Sequence, residues 1–241
     1  MPSFELQSFS LDDLTVCADR IRGVAGEVDS AEQAAGAIVE YLHGSLRQAD
    51  GTPATALVRL YKTLPYERLE PELQAFASGA LGSTPAPATR CLTLLGTAGE
   101  LPDWNDRRRS AGHRTIPLAS PEMVARLPMV ARLIEQLGLD AALVVDPPAE
   151  RLVDLAQRAY DVFHVARAEG SPYLPAQDFV AEHGIRSAVG FGGMLFAGDF
   201  YAVLLFSKVS VSERVARNLR ILSLAVRVAL QPFGHDRVFA R

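Results

Sequence analysis

The chain has 241 residues, of which 49% are hydrophobic and 22% charged, and its formal net charge is −4. This composition is typical of a globular protein that is long enough to bury a sizeable core. It lacks the basic excess typical of nucleic-acid-binding proteins, so we expect no nucleic-acid partner. The two cysteines, Cys17 and Cys91, form no CxxC pair, which argues against a zinc site or a disulfide framework.

The N-terminal residues show no basic segment followed by an apolar stretch, so we expect no signal peptide. The longest apolar runs, such as FYAVLLF at 200–206, are far shorter than the roughly 20 residues that a membrane helix needs. We therefore expect a soluble, cytoplasmic protein with no membrane partner.

The first hundred residues predict helices that alternate with strands. Ser10, with Asp13 three residues later, is a capping-box signal for a first helix that runs to about Ala25. A second helix follows Asp29 or Ser30, because its apolar residues recur at helical spacing. The remaining predicted elements are a strand over Ala54–Thr63, a short helix from Pro71 and a strand over Cys91–Gly99.

The middle of the chain is less regular. A polar loop over Glu100–Leu118 holds the single tryptophan, Trp104, and three consecutive arginines. Two helical pieces follow, broken at Pro128 because proline disrupts a helix interior. Further on, the apolar run Ala141–Val145 is interpreted as a buried strand, DPPAERLVDLAQRAY as an amphipathic helix, and DVFHVA as a strand.

The last third predicts a short helix from about Pro175 that ends at Gly184, then a central antiparallel hairpin. The two hairpin strands are Ile185–Leu195 and Tyr201–Phe206, separated by the turn residues FAGD. A phosphate-binding loop is disfavoured, because no helix follows the glycines directly. A long helix over Ser212–Leu230 closes the fold. Leu224 lies in its charged stripe, which indicates either a second contact surface besides the sheet or a helix that is deeply buried.

The stretch HGIRSAVGFGGMLFAGDFYAVLLFSK at 183–208, with the long helix after it, resembles the last two strands and final helix of GAF domains. The upstream strands ALVRLYKT and CLTLLGTAG fit the same order. The stretch GSPYLPAQDFVAEHGIRSAVGFGG is similar to GAF modules of bacterial sensor histidine kinases. The resemblance covers about 30–230, which suggests an N-terminal helical segment at 1–28, a GAF-like domain at 29–231 and a tail at 232–241.

The resemblance implies an α+β fold with a central antiparallel sheet of five to six strands and helices on both faces. In GAF domains, the side of the sheet with the N- and C-terminal helices often forms a dimer interface. The opposite side, under variable loops, holds ligands such as cyclic nucleotides, bilins, haem or small metabolites. The expected interface residues here are Val215, Leu219, Leu222, Leu224 and Val228. The expected ligand-binding residues are Trp104, His113, Arg114, His164, Tyr173, Arg186 and Phe191.

No special GAF chemistry is indicated, so the cofactor stays unknown. The cysteines do not match the pattern of bilin-binding GAF domains or of free-methionine sulfoxide reductases, and no NKxD-type motif for cyclic nucleotides occurs. His164 is the best haem ligand among the histidines, but a hydrogen-bonded core histidine is the commoner situation. The arginines at 107–109 are interpreted as a solvated loop or as a site for an anion.

Three hypotheses follow. In the first, the chain is a non-catalytic sensory module that binds a small ligand and signals through a dimer or to a partner such as a histidine kinase. In the second, it is a ligand-free scaffold for oligomerisation or docking, and a pocket filled by Phe, Leu and Met side chains would favour it. In the third, Cys91 carries redox chemistry, which a buried, unreactive thiol would contradict.

Overall fold

The structure is a computed structural model that describes residues 2–110 and 112–240. Its centre is a six-stranded antiparallel sheet with the strand order β5-β4-β3-β8-β7-β6. The strands of this sheet are β3 (Thr55–Pro65), β4 (Arg90–Gly99), β5 (Thr115–Pro117), β6 (Phe163–Val165), β7 (Ser187–Met194) and β8 (Phe200–Ser207). Two short strands, β1 (Phe4–Glu5) and β2 (Leu46–Arg47), pair in parallel apart from it.

Ten α-helices surround the sheet in the described part of the chain. The first three are α1 (Leu11–Gly23), α2 (Ala31–Ser45) and α3 (Pro71–Leu81). Five short helices follow: α4 (Pro121–Ala125), α5 (Pro128–Gln136), α6 (Ala141–Val145), α7 (Leu152–Gln157) and α8 (Gln177–Glu182). The last two are α9 (Glu213–Leu219) and α10 (Leu222–Leu230). The predicted α+β fold, with a sheet of five to six strands, is confirmed.

The sheet buries apolar side chains on both of its faces. On one side, called here the α2 face, Val58, Leu60, Phe191 and Val203 pack into one core with helices α1, α2, α9 and α10. On the other, called the α5 face, the core is shared with helices α4 to α8. Alternation along the long strands β3, β4, β7 and β8 sends successive side chains to opposite faces, so each of these four strands contributes to both cores.

The predicted capping box at Ser10 is present, because the Ser10 hydroxyl accepts from the Asp13 backbone N–H and the Asp13 carboxylate accepts from the Ser10 N–H. The predicted break at Pro128 separates α4 from α5. Gly184 has a φ of +63° after α8, as expected for a residue that ends a helix in the left-handed region. The predicted hairpin is β7 and β8, which pair over all eight residues of each strand.

Position 192 in the hairpin requires glycine for a steric reason. A Cβ atom at Gly192 would lie 2.1 Å from the backbone oxygen of Tyr201 on β8. The register of β7 with β8 is continuous through Gly192, so this glycine permits a close backbone approach and is not part of a bulge.

Three predicted elements are wrong in detail. Ala141–Val145 is helix α6, not a strand, and the Asp140 side chain caps it by accepting from the Ala142 N–H. The helix predicted for DPPAERLVDLAQRAY shortens to α7, after a 3-10 turn at Ala149–Arg151. The single long helix predicted for Ser212–Leu230 is α9 and α10, with the break at Arg220 and Ile221.

The N-terminal segment and the C-terminal tail pack into the core of the α2 face. Leu14 and Ile21 of α1 are buried there, and so are Phe233 and Val238 of the tail. The tail also caps the start of α2, because the N–H groups of Ala31 and Glu32 donate to the carbonyls of Arg237 and Val238. One core therefore contains side chains from all three of the segments proposed from the sequence.

Candidate functional site

The α5 face, where the resemblance placed a ligand, is largely filled by protein side chains. Phe163, Met194 and Phe200 are fully buried on this face, and Leu133 of α5 packs among them. Two pockets of about 370 and 400 Å³ flank the C-terminal segment instead, next to α2. A pocket filled by Phe, Leu and Met is the feature that favours the scaffold hypothesis over the sensor.

One charged side chain interrupts this apolar face. Arg59 lies near the middle of β3, opposite Thr97 on β4 and Leu204 on β8. Directly opposed residues of antiparallel strands share a face, and Leu204 belongs to the core of the α5 face. Arg59 is half-buried, and its guanidinium donates to the hydroxyls of Tyr61 at 3.2 Å and Ser110 at 3.0 Å.

The Arg59 group has hydrogen-bonding capacity that the described residues do not use. Its Nε atom is buried without an acceptor, and none of the carboxylates in the described residues forms an ion pair with it. The hydroxyl of Thr97, a residue that is 5% exposed, is also buried without a partner. Buried polar groups are almost always hydrogen-bonded, so two orphaned atoms on directly opposed residues mark a polar site.

Of the residues predicted from the sequence to bind a ligand, His113 lies near this polar site, and Trp104 packs at the end of β4. His113 follows the Ser110 loop and has a φ of +57°, the only positive value among the described non-glycine residues. Trp104 packs on Gly99, where a Cβ atom would lie 2.8 Å from the indole ring. Its ring also contacts those of His183 and Phe179, with centroids 4.5 and 5.7 Å apart.

The other predicted ligand residues lie elsewhere. His164 is on the α2 face, where its Nε2 atom lies 2.9 Å from the carbonyl oxygen of Val211, so it is a hydrogen-bonded histidine and not a pocket ligand. Phe191 is fully buried in the core of the same face, because alternate residues of β7, Val189 and Phe191, point towards the helices on the α2 face. Neither residue can line a site on the α5 face, and both assignments are corrected.

Arg114, Tyr173 and Arg186 belong to three separate surface regions. Arg114 pairs with Glu72 of α3 at 3.0 Å. The Arg132 guanidinium stacks over the Tyr173 ring, 4.9 Å from its centroid. The Arg186 side chain is exposed, and its backbone N–H donates to the carbonyl of Ser207. The structure does not gather these three residues into one site.

The five predicted interface residues divide into two groups. Val215, Leu219 and Leu222 are fully buried inside the chain's own core, which removes them from any interface surface. Leu224 and Val228 are 48% and 44% exposed, so they remain available. The sequence showed apolar residues around most of the helix, but could not separate those that contact the sheet from those left outside.

Both thiols are buried. Cys17 and Cys91 are 1% and 0% exposed, and burial raises the pKa of each thiol to about 12. A reactive cysteine needs an accessible, electropositive position that favours the thiolate. The structure therefore contradicts the hypothesis of redox chemistry at Cys91.

A second charged group lies at the far end of β3, on the α2 face. The Asp199 carboxylate is fully buried and accepts contacts from Lys62 at 3.0 Å, Arg90 at 2.7 Å and His235 at 2.9 Å. Burial alone would raise the pKa of Asp199, but the hydrogen bond from His235 and the charge of Lys62 outweigh it, so the pKa is lowered. The Asp199 carboxylate therefore has hydrogen-bonding partners, and its contact with His235 links the C-terminal tail to the sheet.

A third charged group lies beside the pocket of about 370 Å³ next to α2. Arg107 donates to Glu32 at 2.6 and 2.9 Å and to Glu70 at 2.8 Å, and its guanidinium stacks over Phe239. Of the three arginines predicted to form a solvated loop or an anion site, Arg107 is thus buried and paired with carboxylates. Arg108 and Arg109 are exposed.

Across residues 2–110 and 112–240, no three His, Cys, Asp or Glu side chains are grouped as metal ligands would be. None of the helices in the same ranges combines the length and the apolar character that a membrane span requires.

Comparison with solved structures finds similar folds at very low sequence identity. A GAF domain from a phosphoenolpyruvate-protein phosphotransferase of Coxiella burnetii is 11% identical, with a TM-score of 0.46 over 92% of this chain and 94% of that one. The photosensory core module of a Stigmatella aurantiaca phytochrome is 9% identical, with a TM-score of 0.39 over 95% of this chain and 38% of that one. No family model matches the sequence, and no curated protein matches it.

Proposed function

We propose that this chain is a non-catalytic, cytoplasmic module that works by pairing with a second copy of itself through helix α10. The proposal retains the interface part of both leading sequence-based hypotheses. One observation carries it: Ile221, Leu224 and Val228 are each 44% to 48% exposed. Their spacing of three and four residues aligns Leu224 and Val228 on one stripe of α10 with Ile221 at its N-cap.

The stripe lies on the solvent-facing side of α10, and the opposite side of this helix is packed in the core. Leu222, Val226 and Leu230 are buried in the core, so α10 cannot rotate to hide its outer residues. Helix α1 packs beside α10, and it too exposes large apolar side chains, Leu11 at 60% and Val16 at 50%. Exposed apolar surface of this kind is a common feature of interaction sites.

Charge favours a second copy as the occupant. Helix α1 begins with Asp12 and Asp13, and exposed Arg214 lies on the neighbouring helix α9, whereas Arg217 and Arg220 already pair with Glu213 and Asp161 of the same chain. In a twofold-symmetric pair the same patch meets itself in opposite orientation. The acidic start of α1 in one protomer can then face Arg214 of the other.

The test is the mass of the full chain in solution, measured by light scattering coupled to size-exclusion chromatography. We expect a dimer for the natural sequence and a monomer for Leu224→Glu, with an unchanged circular dichroism spectrum and melting temperature. The matched control is Val153→Glu, which changes a 55% exposed valine on α7, remote from α10, and should leave the dimer intact.

A natural chain that stays monomeric at every accessible concentration would overturn self-association, and the stripe would then belong to a different partner, such as a histidine kinase. A Leu224→Glu variant that stays dimeric while Val153→Glu dissociates would place the interface on the other side of the molecule.

A further inference from the structure

We propose that an open stretch of the β4 edge binds a small molecule that carries a primary carboxamide and a cationic group. The site is the cavity of about 370 Å³ between β4, helix α2 and the loop at 105–107, called here the edge cavity. The described residues that line it include none from α10. This site and self-association through α10 can therefore fail independently.

The first step is the direction of the backbone groups of Thr97. In an antiparallel ladder, alternate residues of a strand bond to the same neighbouring strand. The N–H of Glu100 donates to the carbonyl of Ala56 before β3, whereas the N–H of Gly99 donates to the side chain of Asn105. Thr97 lies two residues before Gly99, so its N–H and C=O also point away from β3.

The second step is a gap beside β4. Strand β5 pairs with β4 only as far as Thr93, and the carbonyl of Arg114 then accepts from the N–H of Leu94. At the far end, Asn105 occupies the position beside Gly99. Among the described residues nothing accepts from the Thr97 N–H or donates to its C=O, and both groups belong to a residue that lines the edge cavity. Such buried peptide groups are almost always hydrogen-bonded.

The third step is the kind of group that fits this edge. The Asn105 carboxamide pairs with Gly99 through two bonds, because its oxygen accepts from the Gly99 N–H at 2.9 Å and its nitrogen donates to the Gly99 C=O at 3.0 Å. Thr97 presents the same pair of groups on the same edge. A second primary carboxamide would pair with Thr97 in the same way. An extended peptide fits less well, because Asn105 and Arg114 bound the gap at both ends.

The fourth step is the charge around the edge cavity. Arg107 is already paired with the carboxylates of Glu32 and Glu70. The lining residues Glu40 and Asp106 are exposed, and neither forms an ion pair within residues 2–110 and 112–240. Two carboxylates therefore remain without a cation beside the cavity. They favour a ligand with a positive charge next to its carboxamide.

The floor of the edge cavity leaves room for such a molecule. A Cβ atom at Gly96 would lie 2.5 Å from the backbone of Ala35, so strand and helix are in direct contact there. One residue further along α2, a Cβ atom at Gly36 would meet no atom within 4 Å, although Gly36 lines the cavity. The volume is at the lower end for small-molecule sites, which suits a compact ligand.

The test is a titration of the full chain with glycinamide, acetamide and ethylamine, monitored by the Thr97 backbone N–H signal in a nitrogen–proton NMR correlation spectrum. Glycinamide carries the carboxamide and the charge, acetamide only the carboxamide, and ethylamine only the charge. Ionic strength is held equal, at a constant pH that keeps both amines protonated. We expect saturable shifts with the two amides, tighter binding of glycinamide, and no saturable shift with ethylamine.

Two variants with matched controls make the assignment specific. Gly36→Leu should fill the edge cavity and abolish saturable binding, whereas Gly79→Leu, at an equally open glycine of helix α3, should not. Glu40→Gln should weaken glycinamide about twofold to fivefold, the effect of one exposed charge pair, and leave acetamide unchanged. Glu67→Gln, at an exposed glutamate outside the cavity lining, should change neither affinity.

The proposal is overturned if neither amide gives a saturable shift, if ethylamine reproduces the shift, or if Gly36→Leu binds glycinamide as well as the natural sequence. Equal affinities for glycinamide and acetamide would contradict the cationic part of the ligand. Should Gly36→Leu fail to fold, the comparison of the three compounds on the natural chain still decides.

Discussion

Lys62 and Asp199 form an ion pair of 3.0 Å in the interior, where their side chains are only 1% and 0% exposed. Removing one partner of such a pair leaves the other charge buried and unpaired in the protein interior, where it is poorly solvated. We therefore expect Asp199→Asn to lower the free energy of unfolding by about 3–5 kcal/mol. Urea denaturation measures this loss.

The control for Asp199→Asn is Asp161→Asn, since Asp161 pairs with Arg220 at 3.5 Å but is 61% exposed. Exposed pairs contribute about 1 kcal/mol or less, so this variant should unfold almost as the natural protein does. Equal effects of the two substitutions would show that the buried cluster is not a stabilising element.

Acid should destabilise the protein in two stages. Burial lowers the pKa of His43, whose Nδ1 atom lies 2.9 Å from the Thr55 hydroxyl oxygen. A histidine with a lowered pKa takes up its proton in the unfolded chain first, so stability falls as the pH drops below about 6.5. The lowered pKa of Asp199 adds a second loss below about pH 4, as its carboxylate becomes protonated.

Melting temperatures recorded across this pH range check both stages. His43→Gln should reduce the upper stage, which His43 shares with His113, whose pKa is also lowered by burial and by the charge of Arg59, and it should leave the lower stage in place. A profile without any decline between neutral pH and pH 4 would contradict the assignment of the upper stage to His43.

The hairpin glycine gives a prediction of steric origin. Gly192→Ala would place a methyl group 2.1 Å from the Tyr201 backbone oxygen, which cannot move without breaking the β7–β8 pairing. We expect a loss of at least about 1–3 kcal/mol. Gly36→Ala is the opposite case, because no atom lies within 4 Å of the new methyl group in helix α2. It should stabilise the protein by about 1 kcal/mol.

The thiols should be inert in the folded chain. Since Cys17 and Cys91 are buried and their pKa values are raised to about 12, a thiol reagent at mildly alkaline pH should label neither. Both should react after unfolding in guanidinium chloride. Thr15→Cys, which places a thiol on the exposed side of α1, is the positive control and should react at once. Rapid labelling of Cys91 in the native protein would revive the redox hypothesis.

Arg59→Met tests whether this half-buried guanidinium lowers the stability of the fold. Because its buried Nε–H has no acceptor in the described residues, we expect methionine to raise the free energy of unfolding by up to about 1 kcal/mol. A clear loss of stability in urea denaturation would show that the hydrogen bonds with Tyr61 and Ser110 outweigh that cost.

Much of the fold could be predicted because its signals are local. Pro128 breaks a helix wherever it occurs, and Ser10 with Asp13 marks a helix start by its own hydrogen bonds. The hairpin was recognisable from two apolar runs around turn residues. The run Ala141–Val145 was misassigned, because a five-residue apolar segment has too few residues to show a period, and only the cap at Asp140 indicated a helix.

The site was harder to predict, because it depends on which strands become neighbours. Trp104 and His113 were found as unusual residues in a loop. Arg59 and Thr97 lie 38 positions apart inside strands, and only the β3–β4 register makes them partners. A signal for Arg59 did exist in the sequence, since a charged residue inside the apolar run ALVRLYKT needs a hydrogen-bonding or ionic partner once the strand is buried. His164 and Phe191 were chosen by their apolar neighbours, which do not reveal the face of the sheet.

The capping of α2 by the carbonyls of Arg237 and Val238 has a consequence for biosynthesis. The two acceptors that complete the first turn of helix α2 lie 206 residues further along the chain than the donors. The strands of the central sheet are therefore synthesised before these acceptors are. The first turn of α2 can be capped only after residues 237 and 238 have left the ribosome.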